Sequence, residues 1–205
     1  MIPRIAVPAV AAVLAMTALA GCGGGSDVTD HAAENRREAA RARLAAGDLP
    51  GRWEATPNGG TLNCAALAGA PGAGYAASDQ MNGVNGSADN VVFVFRNALA
   101  ARIRMQAILS PATRRCIGRE MGNASPVTAP STAPDVGRVG DDVHTARFPM
   151  GGRNQDGDVL DVVVVQLGRG GVVVEVGGAP AQLDSGLRAA VVAAAVRKLR
   201  AAIAG

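Results

Sequence analysis

Apolar residues fall along this chain in runs of three kinds, and each predicts a different element. From Ile5 to Ala20 the run is broken only by Pro8 and Thr17. Its 16 residues span about 24 Å as a helix, short of the roughly 30 Å hydrocarbon core, so the pattern predicts a secretory leader rather than a membrane-crossing helix. Residues 30–46 are rich in Ala, Arg and Glu, with Asp30 placed as N-cap and Gly47 as stop, and predict a helix. Nearly all its apolar positions are alanine, so it reads as a polar helix or stalk. The turn Leu49-Pro50-Gly51 leads to Trp53, where the globular domain is expected to begin, and 63–68 is a short helical candidate. Residues 69–87 are dense in Gly, Ala and Asn without periodicity and predict loop or irregular edge structure.

Val91, Val92, Phe93, Val94 and Phe95 predict a first strand buried on both faces. Asn97 caps a predicted helix running to Leu109, with Ala98, Ala101, Met105 and Ile108 on one face and Ser110-Pro111 ending it. Strand character returns at 143–148, 159–167 and 172–176, and Gly168-Arg169-Gly170-Gly171 joins the last two as an antiparallel hairpin. A helix is predicted over 184–202, where Leu187, Val191, Ala194, Ala195 and Leu199 mark an apolar stripe. Residues 123–134, with three prolines among small polar residues, predict a surface loop or linker. The expected fold class is α+β, an antiparallel sheet flanked by helices.

Length and composition narrow this to one domain. The chain has 205 residues and is 48% hydrophobic but only 2% aromatic. Its core must therefore be built from small aliphatic side chains, with Trp53, Tyr75, Phe93, Phe95 and Phe148 as the few large ones, most of them expected inside. Arg4 is the sole charge before Cys22, which leaves 19 of the 20 basic residues against 17 acidic ones. That balance, with no concentrated basic face in the sequence, argues against nucleic acid as a partner.

At the end of the leader, Leu19-Ala20-Gly21-Cys22 resembles the lipobox of bacterial lipoproteins. The resemblance implies cleavage before Cys22, a diacylglycerol thioether on its sulfur and acylation of its amine, a pair of anchors that holds a membrane stably. The expected organisation is a signal peptide at 1–21, lipidated Cys22 and a flexible tether over 22–29, the polar helix at 30–47, and an α+β domain at 48–205. Export places the other two cysteines in an oxidising compartment, where Cys64 and Cys116 are expected to pair; two buried free thiols are the alternative. Closing such a loop contributes about 4 kcal/mol in the chain-entropy account.

Catalytic patterns are sparse. Asn154, Asp156, Asp158 and Asp161 suggest Ca²⁺ ligands, but an EF-hand counted from Asn154 would need glycine and glutamate where Val159 and Val165 stand. Asp141, Asp142 and His144 are the clustered ionisable groups beside a predicted strand, and they carry the alternative reading of a cell-envelope hydrolase using His144 with Asp141 or Asp142. There is no Gly-x-Ser-x-Gly elbow, and His31 is expected at the surface. No cofactor-binding or metal set is read from the sequence.

Residues 91–95 followed by 97–101, Cys116, Gly140-Asp141-Asp142, and 162–176 with its glycine turn resemble, over residues 48–204, the extracellular domains of PknH-like kinases and the LpqN-type lipoproteins of actinobacteria. The resemblance implies a noncatalytic ligand-binding or accessory domain and transfers no catalytic residue. The expected protein is a sensor-like lipoprotein on the extracytoplasmic face of the cell membrane. Its expected partners are the membrane, through the lipid anchor, and a small ligand, lipid or envelope protein.

Overall fold

A computed structural model describes residues 25–57, 62–108, 110–121, 136–150 and 157–205. The leader, Cys22, the proline-rich stretch 123–134, and Asn154 and Asp156 lie outside the described residues.

Among the described residues one antiparallel sheet of seven strands runs in the order β1-β3-β4-β7-β6-β5, with β2 also paired to β4. The strands are β1 (Trp53–Thr56), β2 (Gly74–Ala77), β3 (Gln80–Gly83), β4 (Gly86–Val94), β5 (Asp142–Pro149), β6 (Val159–Leu167) and β7 (Gly170–Gly178). Helices cover both faces: α1 (Gly25–Arg41) and α5 (Arg188–Ile203) on one, α2 (Ala98–Ile108) and α3 (Pro111–Glu120) on the other. A single turn, α4 (Pro180–Gln182), and an irregular segment Leu183–Leu187 lead into α5. The expected α+β class, an antiparallel sheet flanked by helices, is what forms.

Because strand side chains alternate, the continuous valine runs of the central strands serve two cores at once. Val92, Val94, Val163, Val165, Val172 and Val174 face α1 and α5. Val91, Phe93, Val162, Val164 and Val173 face α2 and α3. Each fully buried valine contributes about 1.5 kcal/mol or more, which explains how a core poor in aromatic rings holds. Phe93 and Phe148 are fully buried, Phe95 nearly so, while Trp53 and Tyr75 are half-buried.

Several boundaries differ from the sequence pattern. Residues 69–87, expected as loop, contain β2 and β3, which pair respectively with the C-terminal and N-terminal halves of β4. Ser78 joins the two, its hydroxyl accepting from the Asn90 N–H at 2.8 Å. The strand around 91–95 starts earlier, at Gly86, and it is preceded by β1 at Trp53. Helix α1 begins at Gly25, ahead of Asp30 and inside the segment expected as tether. Asp184 is not in the last helix but in the turn before it, where Gly186 adopts φ 111°.

Cys64 and Cys116 form a disulfide, with Cα atoms 5.9 Å apart. It fastens the 3-10 turn Ala65–Leu67 to α3, beneath which Leu62, Leu67 and Ile117 are buried.

Candidate functional site

One concavity among the described residues lies at one end of the sheet, where three elements meet around a short glycine-rich approach. Gly74 opens β2 directly under α1: a Cβ there would overlap the Asn35 carbonyl, so only glycine lets the helix backbone cross so low over the sheet. Beyond that crossing, residues of α1 and of the first turn of α2 border one space. Between them is a cavity of about 400 Å³ lined by His31, Ala32, Asn35, Pro71, Gly72, Phe95, Arg96 and Ala100. A second space of about 330 Å³, lined by His31, Glu34, Asn35, Arg96 and Arg169, shares three of those residues. The two therefore meet at a common rim.

The groove's walls are fixed by a polar arrangement behind it. Arg169, in the β6–β7 turn, donates to Asn35 Oδ1 at 2.8 Å and to Glu38 Oε1 at 2.5 Å, while its carbonyl accepts from the Phe95 N–H at 2.9 Å. Glu38 is 1% exposed. Its ion pair with Arg169 is thus the contact that lets α1 carry a carboxylate into the interior. On the rim, His31 Nδ1 lies 3.8 Å from Glu34 Oε2. Arg96 is exposed, and no carboxylate among the described residues pairs with it. Below the groove the Arg104 guanidinium sits over the Phe93 ring, 5.4 Å from its centroid, and donates to the Ala68 carbonyl; burial lowers its pKa from the usual arginine value. Chemically the site offers an apolar floor of Ala32, Pro71, Phe95 and Ala100, the exposed Arg96 guanidinium, and amide and imidazole groups able to form hydrogen bonds.

The predicted ionisable cluster is split. His144 Nε2 lies 3.1 Å from Asp142 Oδ1 on the edge strand β5, both side chains about half exposed. Asp141 instead accepts from the Gly168 N–H at 2.6 Å and secures the β6–β7 turn. His144 lines neither of the two spaces above.

The acidic run is split as well. Asp161, fully buried, is gripped by Arg147 through Nε at 2.7 Å and Nη2 at 2.8 Å, and by Arg188 at 2.6 Å. Asp184 bridges the same two arginines. Their charges hold the Asp184 carboxyl below the usual carboxylate value, the Arg147 hydrogen bond most of all, and raise the Arg147 guanidinium. Asp161 therefore fastens α5 to the sheet and is spoken for. Sequence reasoning missed the groove, since Ala32, Pro71, Phe95 and Arg96 share no spacing; it placed His31 at the surface, and His31 does stand exposed, on the rim.

No protein-family model matches the chain, and no curated protein matches it. Among solved structures, the crystal structure of the extracellular domain of PknH from Mycobacterium tuberculosis aligns with 62% of this chain and 66% of that one, at 15% identity and a TM-score of 0.38. The alignment thus spans just under two thirds of that domain, and a likeness of this size bears on neither ligand nor reaction.

Proposed function

We propose that this chain is a membrane-anchored extracytoplasmic lipoprotein whose domain is a noncatalytic binding module, taking a small ligand with an apolar body and an anionic or hydrogen-bonding end in the α1–α2 groove. The observation that carries the binding role is the groove itself: a preformed cavity of about 400 Å³ with an apolar floor and an exposed arginine lacking a carboxylate partner among the described residues. A space of that size lies in the range that small molecules occupy. Anchoring and export rest on the leader pattern and on Leu19-Ala20-Gly21-Cys22.

The test is a filled groove. Ala100→Trp places an indole over the floor from α2, whose partly exposed Ala100 leaves room for it. Mass spectrometry of molecules copurifying with the wild-type chain should find a species that the variant has lost, while circular dichroism of the two remains the same. The same species on both would end the groove reading. Metabolic labelling with a fatty-acid probe, abolished by Cys22→Ser, is the expected result for the anchor. The hydrolase alternative rests on the His144–Asp142 contact, which stands open to solvent on the sheet edge and away from the groove; binding is the reading the geometry favours.

A further inference from the structure

Away from the groove, on the α2–α3 face, lies a second polar feature that the binding reading does not use. Asp89 on β4 and Glu175 on β7 are directly opposed in the sheet register. They are 4% and 3% exposed, on two central strands of the sheet. Like charges placed opposite each other on a sheet repel, and a buried carboxylate requires a partner. The ion pairs among the described residues involve other carboxylates. Asp89 Oδ1 and Glu175 Oε1 accept from no other residue, and the two carboxyl groups lie within hydrogen-bonding reach of each other.

Both acids line a cavity of about 170 Å³ together with Gln80, Ser87, Met121, Met150 and Leu160. Gln80 stands one step beyond the Met81–Ala88 pair, beside Asp89, so Gln80, Asp89 and Glu175 form a row across β3, β4 and β7. Ser87 lies in the next row, opposite Gly177, where a Cβ would come within 2.8 Å of the serine oxygen. Glycine there keeps the space above the hydroxyl open.

We propose that Asp89 and Glu175, completed by the side-chain oxygens of Gln80 and Ser87, bind a hard divalent cation of the Ca²⁺ or Mg²⁺ class. The two carboxylates, the Gln80 amide oxygen and the Ser87 hydroxyl offer oxygen ligands, which suit a hard ion, and the thioether sulfurs of Met121 and Met150 also line the cavity. One doubly positive ion balances two carboxylates and satisfies both orphaned oxygens. Met121, Met150 and Leu160 cover the site and lower the competition from water. Among the described residues no three of His, Cys, Asp and Glu come together; the site depends on two carboxylates and neutral oxygens. Burial, and for Glu175 also the Asp89 charge beside it, raises both carboxyl pKa values while the ion is absent, Asp89 to about 7.

The experiment uses the full chain stripped with chelator and then titrated with CaCl₂ or MgCl₂ at pH 8, reading thermal midpoint and equilibrium dialysis of the ion. One of the two salts should raise the midpoint and be retained at about one ion per chain. Asp89→Asn and Glu175→Gln should each weaken retention at least about tenfold, as losses of metal-site groups do. The double variant, which removes the buried charge and keeps the side-chain shapes, should fold and show no ion-dependent shift. No shift and no retention in the wild type would overturn the proposal, as would a shift of equal size in the double variant.

Discussion

Asp161 illustrates how much one buried side chain can be asked to hold. It accepts from two arginines on different elements, Arg147 on β5 and Arg188 at the start of α5. Replacing it by asparagine would leave two guanidinium groups facing each other with only the exposed Asp184 between them. Removing one partner of such a buried group costs about 3–5 kcal/mol. Asp161→Asn is therefore expected to lower the urea midpoint sharply, whereas Asp184→Asn, at a solvent-facing position, should lower it much less. The residue was visible in the sequence only as part of an acidic run suggesting Ca²⁺. Strand alternation held the better clue, since 161, 163 and 165 share a face, and a carboxylate in a row of valines calls for a cation from across the sheet. Which arginine supplies it is a matter of strand pairing and helix placement, neither of which local sequence records.

At the scale of elements, the approach of α1 to β2 depends on Gly74. Gly74→Ala pushes a methyl group into the Asn35 carbonyl, a backbone atom that cannot swing aside. The expected result is displacement of α1, read as fast amide exchange along the helix and loss of whatever ligand the groove retains. The disulfide acts at the opposite face. Cys64→Ser with Cys116→Ser should cost about 2–5 kcal/mol in chemical denaturation, and a reducing agent should bring the wild type to the same midpoint. The strands at 159–167 and 172–176 and the helix after Asn97 were legible because valine runs, a glycine turn and a cap are local signals, although Gly170 and Gly171, read as turn, begin β7; Asn97 Oδ1 does accept from the Ala100 N–H at 2.9 Å. The strands β2 and β3 were not legible. Gly, Ala and Asn offer little side-chain contrast, so no alternation appears, and these strands exist because β4 supplies hydrogen-bonding partners along its whole length.

For the molecule as a whole, stability should depend on pH through the acid pair on the central strands. The folded carboxyls of Asp89 and Glu175 are raised by burial, so between about pH 4, the ordinary carboxylate value, and about 7, the value for Asp89, the folded chain binds more protons than the unfolded one. Stability from this pair is then full below that window and falls as pH rises through it. Tyr75, on β2, also feels Glu175, and burial with that charge raises its hydroxyl above the ordinary value, which keeps it outside the window. In chelator-containing buffer the urea midpoint should rise on acidification from pH 8 to 5, and Asp89→Asn with Glu175→Gln should flatten that slope. A midpoint that falls instead would show the pair is not protonated in the folded state. Remaining above pH 5 keeps the Asp184 contribution, whose depressed carboxyl loses its effect only at lower pH, out of the comparison.

Helix α1 starts at Gly25, and that early start shortens the leash between the domain and the residue expected to carry lipid. Three residue steps separate Cys22 from Gly25, a reach of at most about 11 Å when fully extended. An acylated Cys22 would leave the domain no freedom to roam: it would ride against the lipid headgroups, helix end down, with His31 less than two helical turns from the start of α1. Lengthening that leash with inserted glycine and serine should leave the fold unaltered and move only the height at which the domain floats.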